Sequence, residues 1–181
     1  MSRFRYGFSL VEILNFLGLA AILSAIGMYA LARYVRHAKT TEAASTVTRI
    51  AERAADYYNR SDETQPSGAT PSAIHAMRHF PPSSRAWVPV DGTSVKGQRY
   101  QSSRADWAGS PWKELDFAII EPQAYQYSYD SEGAGTAAKS VVTAQGDLDG
   151  DGIPSHYAIT IKPDESLTAK LGELERTDPE E

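Results

Sequence analysis

Three aspartates stand at alternate positions in the run Asp147-Leu148-Asp149-Gly150-Asp151-Gly152. Carboxylates at this spacing suit a hard cation, because a turn lets three side chains converge and glycine permits the bend. Ile153 can add a main-chain carbonyl, and Ser155 a hydroxyl or a bridging water. The expected ion is Ca2+; the plain alternative is a solvated, metal-free Asp-Gly turn between two strands. A fourth carboxylate poses a different problem. Glu12 is the lone charged residue in the apolar run 8–32. A carboxylate in a membrane-length helix is costly and requires a partner. A cut between Gly7 and Phe8 would create an amino group one helical turn away, or beside Glu12 of a neighbouring copy. Each charge would then neutralise the other, with the carboxylate near the positive end of the helix dipole.

The aspartate spacing matches the first half of an EF-hand loop. Its twelfth position is Ala158 instead of the bidentate glutamate, so weak affinity is expected unless Asp164, Glu165 or another distant residue substitutes. His75 and His79 are four apart, as in a helical zinc pair, but Ala76 follows His75 and no third ligand is evident. Surface histidines are the better reading. No nucleophile elbow, phosphate loop or dinucleotide fingerprint occurs. The expectation is a protein that is not an enzyme.

Elements must position these groups. Residues 8–32 would form a helix of roughly 37 Å, enough to cross a bilayer. An ordinary signal peptide fits poorly, since the run is long and continues into further helical sequence. Residues 33–59 lack glycine and proline. Val47, Ile50, Ala51, Ala54, Tyr57 and Tyr58 recur at three- and four-residue spacing, an amphipathic pattern. The whole helix would be roughly 78 Å long, apolar all round at first and one-sided later. Gly18 and Gly27 are its expected weak points.

Here the leader becomes informative. Arg5-Tyr6-Gly7-Phe8-Ser9-Leu10-Val11-Glu12 resembles the class III prepilin signal: a short basic leader, a glycine, an aromatic, then small and apolar residues before a glutamate. The resemblance implies a type IV pilin-like precursor, cut after Gly7 by a prepilin peptidase, N-methylated at Phe8, and assembled through Glu12. It implies a single-pass inner-membrane precursor with its head outside the cytoplasm. Other copies or related pilins, and the assembly machinery, would be its partners. The product would be an extracellular pilus or a periplasmic pseudopilus. The charge rule alone leaves topology open, since Arg3 and Arg5 on one flank oppose Arg33, Arg36 and Lys39 on the other. Many type IV pilins carry a proline in the second half of this helix; Tyr29 stands near that place. Gly-Asp-Leu-Asp-Gly-Asp-Gly turns also occur near the C-terminus of some disulfide-free pilin-like proteins.

The 181-residue chain has no cysteine and a net charge of −5. A head without disulfides must rely on packing, hydrogen bonds or a metal ion. The acidity argues against broad nucleic-acid binding. The organisation read from sequence is a leader, 1–7; a hydrophobic helix, 8–32; its amphipathic continuation, 33–59; and a β-rich head with an acidic tail, 60–181. Strands are expected over 117–120, 125–129, 140–143 and 157–161. Shorter extended pieces are expected at 87–90 and 99–101. Ser110-Pro111 has a helix-start signature, Gly133-Ala134-Gly135 suits a hairpin connection, and the tail from Leu167 reads as a short helix or a frayed end. An antiparallel sheet packed on the helix makes an α+β, pilin-like head. The leading function is a filament subunit. A minor pilin or type II secretion pseudopilin is the near alternative, and a monomeric membrane-tethered binding module the distant one.

Overall fold

The computed structural model describes residues 8–60 and 77–178. The chain divides into two units, Met1–Ala38 and Lys39–Glu181. One helix, α1 (Leu10–Arg60), contributes to both. It runs through Gly18 and Gly27 without a break.

In the first unit the apolar side chains of α1 face outward on all sides. Leu10, Leu14, Phe16, Ile22, Ile26 and Leu31 each expose more than half of their surface. An 18-residue window reaches a mean hydropathy of 2.0, so α1 is long and apolar enough to cross a membrane.

In the second unit the same helix becomes one-sided. Ala43, Val47, Ile50, Ala51, Ala54 and Tyr58 are fully buried, whereas Glu52, Arg53 and Asp56 are exposed. Tyr57, placed on the stripe by its spacing, is only half-buried and meets His79 edge-on. The stripe shares its core with a four-stranded antiparallel sheet in the order β3-β4-β5-β6. These strands are β3 (Gln126–Glu132), β4 (Lys139–Gly146), β5 (Ser155–Pro163) and β6 (Ala169–Thr177). A two-stranded ribbon joins β1 (Tyr100–Gln101) to β2 (Pro122–Gln123).

Alternation decides which sheet residues face inward. In register, Tyr127, Ala144 and Tyr157 form one row, and Tyr129, Val142 and Ile159 the next. All six are buried. Large rings thus flank the small Ala144, and the helix contributes three fully buried alanines to the same core. Interdigitation of large and small side chains is how a core reaches crystal-like density. Burial raises the phenol pKa of Tyr125, Tyr127 and Tyr129, which keeps these rings neutral. The far end of the helix is tied by two polar contacts: Tyr58 Oη donates to Gly135 O at 2.9 Å, and Ala169 N donates to Asn59 Oδ1 at 2.9 Å.

Four expectations are corrected. Residues 117–120 form no strand: Phe117 packs edge-on against Trp107, and pairing is confined to two residues of β1 against β2. Ser110-Pro111 starts no regular helix. The segment 110–116 is a run of turns ending at Asp116, whose φ of 48° leaves the right-handed helical region. At 87–90 the extended piece shrinks to one bridge, Val88 to Tyr127. The tail after Leu167 is β6, because antiparallel pairing with β5 satisfies its backbone. Strands β3, β4 and β5 arise where the alternation placed them, though each is longer than the sequence suggested. The 133–135 connection holds, extended by a short 3-10 turn at Gly135–Ala137.

Candidate functional site

The hairpin loop between β4 and β5 carries the three aspartates. One carboxylate oxygen from each of Asp147, Asp149 and Asp151 lies within 4.8 Å of the others. Oxygens on opposite sides of one calcium ion are about 5 Å apart, so the cluster has the right span. Asp147 is nearly buried; Asp149 and Asp151 are exposed.

Local backbone bonds shape the loop. Asp147 Oδ1 accepts the N–H of Gly150 at 2.6 Å and its Oδ2 that of Gly152 at 2.8 Å. Asp149 Oδ1 accepts from Asp151 N, and Asp151 Oδ1 from Ile153 N. Both glycines have positive φ, 85° and 102°, which L side chains rarely adopt. Each Asp147 oxygen retains a lone pair after its N–H bond. The donor set therefore fits a hard cation, which Asp147, Asp149 and Asp151 would hold.

Ser155 and Ile153 stand differently from the aspartates. The Ser155 hydroxyl is buried, donates to Gly146 O at 2.9 Å and lies 3.2 Å from Tyr125 Oη. Ile153 is half-exposed beside the loop. Strand β5 has already begun at Ser155, so Ala158 at the twelfth position is a sheet residue paired with Thr143 and Glu175. Asp164 lies just past the other end of β5, roughly 30 Å away along the strand. Glu165 follows it. Distant substitution by these two is therefore out of reach.

Three groups that sequence spacing did not reveal dock against the loop. Gly97 N donates to Asp147 O at 2.7 Å, and Lys96 Nζ lies 3.6 Å from Asp147 Oδ2. From the helix, Lys39 Nζ donates to Leu148 O at 3.4 Å. No pattern in the chain links positions 39, 96 and 147; their meeting is a product of the fold.

At the N-terminal end, Gly7 lies outside the described residues, as does His75. Phe8 is 84% exposed. Glu12 has a local role: its Oε2 accepts the N–H of Ser9 at 2.8 Å, and Ser9 Oγ accepts the N–H of Glu12 at 3.2 Å. This is a reciprocal capping box at the start of α1. The signal was present as Ser9-Leu10-Val11-Glu12, a Ser-x-x-Glu pattern.

No protein-family model, curated protein or solved structure matches this chain.

Proposed function

We propose that this chain is a structural subunit of a type IV pilus-like filament. It is cut after Gly7, N-methylated at Phe8 and packed into the filament through α1. The observation that carries the reading is the two-phase character of α1. Its first part exposes large apolar residues in every direction, and its second part forms the core of an α+β head. A plain membrane anchor needs the first property, and in it Glu12 would serve only to cap the start of α1. A filament subunit needs both properties, because its apolar segment leaves lipid for the company of other apolar helices. In that setting Glu12 pairs with the Phe8 amine of its own or a neighbouring copy. The precursor is a single-pass inner-membrane protein with its head outside the cytoplasm, and Asp147, Asp149 and Asp151 bind Ca2+ in that head.

The test is intact-mass measurement on filaments sheared from cells. A mature chain beginning at a methylated Phe8 and abundant in the sheared fraction supports the major-subunit reading. Traces of the same species assign a minor pilin or pseudopilin. A chain that keeps Met1, or that is cut after the apolar run, sinks the proposal.

A further inference from the structure

The head also has a pocket of about 570 Å³, lined by the 3-10 turn Arg104–Trp107 and the turns that follow it. We infer that this pocket binds an acidic sugar, a ring carrying an isolated carboxylate or sulfate. The volume lies in the range of small-ligand sites, about 300–1,000 Å³.

Its floor is rigid and apolar. Trp107 meets Trp112 edge-on at 4.7 Å between centroids and Phe117 at 5.4 Å. Trp107 Nε1 donates to Ser102 Oγ at 2.8 Å, which fixes the indole. All three rings are buried. They thus offer little open surface, too little for stacking alone to hold a sugar.

The rim supplies the binding charge. Arg104 and Lys113 are exposed, and neither side chain has a hydrogen bond or ion pair with a described residue. Asp116, also on the rim, already faces Arg53 at 3.9 Å. Two uncommitted cations therefore act beside one carboxylate that has a counter-charge. This balance recruits a single anionic group and leaves Asp116 to accept a sugar hydroxyl. It disfavours a densely charged polyphosphate, which Asp116 and the net charge of −5 repel. A guanidinium can also grip a carboxylate or sulfate through two parallel N–H donors.

The full chain in detergent micelles is titrated with trigalacturonate, maltotriose and oligothymidylate, with tryptophan fluorescence as the local reporter. Saturable trigalacturonate binding is expected, with no response to maltotriose at the same concentration and at least tenfold weaker binding of oligothymidylate. The double variant Arg104→Ala, Lys113→Ala is expected to lose at least tenfold in affinity at an unchanged melting midpoint. The single variants serve if the double variant fails to fold, each losing at least threefold. Absent saturation, equal binding of maltotriose or oligothymidylate, or folded variants that bind like the parent would each overturn the site. The assay reads dispersed subunits, so its failure leaves the filament reading untouched.

Discussion

Lys96 Nζ stands 3.6 Å from Asp147 Oδ2, inside the loop whose aspartates converge within 4.8 Å. The ammonium is a tethered cation at the edge of a cluster suited to a free one. It relieves part of the repulsion among the carboxylates and also competes for the most buried of them.

Calcium is therefore expected to raise the melting midpoint of the full chain in micelles, measured against chelator. The gain is about 2.7 kcal/mol at a hundredfold excess over the dissociation constant. Half-saturation is expected at about 10⁻⁴ to 10⁻³ M, since the loop lacks a bidentate glutamate. Asp149→Ala should abolish the rise. Lys96→Met should lower the half-saturating concentration several-fold by removing the competitor. Superimposable melts with calcium and with chelator, from metal-free protein, would leave the loop a simple turn.

Glu42 clips two loops to the helix. Its Oε2 accepts Arg99 Nη2 at 2.7 Å, and its Oε1 accepts the main-chain N–H of Ala124 at 3.0 Å. Its side chain is 24% exposed, so water replaces these bonds poorly. Glu42→Ala is expected to cost about 2–3 kcal/mol in denaturant unfolding. Glu42→Gln keeps an acceptor for Ala124 and should cost less; an equal loss for both would assign the effect to the charge alone.

Asp130 sets an acid-sensitive contact. A hydrogen bond from Ser83 and the Arg85 guanidinium hold its pKa below the usual 3.8. A depressed carboxyl pKa stabilises the folded state above the unfolded value, and that contribution is lost as pH falls through the folded value. The group is partly exposed and screened by solvent, so Asp130→Asn should cost about 0.5 kcal/mol at pH 7. The difference from the parent should shrink near pH 3. A gap of the same size at both pH values would show that the carboxylate charge is irrelevant.

The capping box allows the two roles of Glu12 to be separated. Under the filament proposal, Glu12→Ala in cells lacking the parent chain should still insert into the membrane, because a charge is removed from the apolar helix, yet filament yield should collapse. Ser9→Ala breaks the cap but keeps the carboxylate; a helix-capping loss of about 1 kcal/mol should lower yield only modestly. Equal loss in both variants would reduce Glu12 to a capping residue. Normal filaments from Glu12→Ala would end the pairing argument.

The amphipathic stretch of α1 was legible because a 3.6-residue period reports a buried face whatever covers it. Val47, Ile50, Ala51, Ala54 and Tyr58 then follow from spacing, with Tyr57 only half-buried, and Tyr125, Tyr127 and Tyr129 from the period of two. The isolation of Glu12 and the clustering of three aspartates were equally local facts, separated by only a few residues of chain. Partnership is a different matter. A strand exists only where a neighbour satisfies its backbone, so 117–120 lacks one and β6 forms beside β5. Lys96 meets Asp147 and Arg99 meets Glu42 because the closed chain brings distant segments together; Arg104, Trp107 and Lys113 are near in sequence, yet line one pocket only through the turns of 104–118. Periodicity records that a side chain is covered or a charge is out of place; the identity of what lies opposite depends on packing across the whole head, and tertiary structure alone decides it.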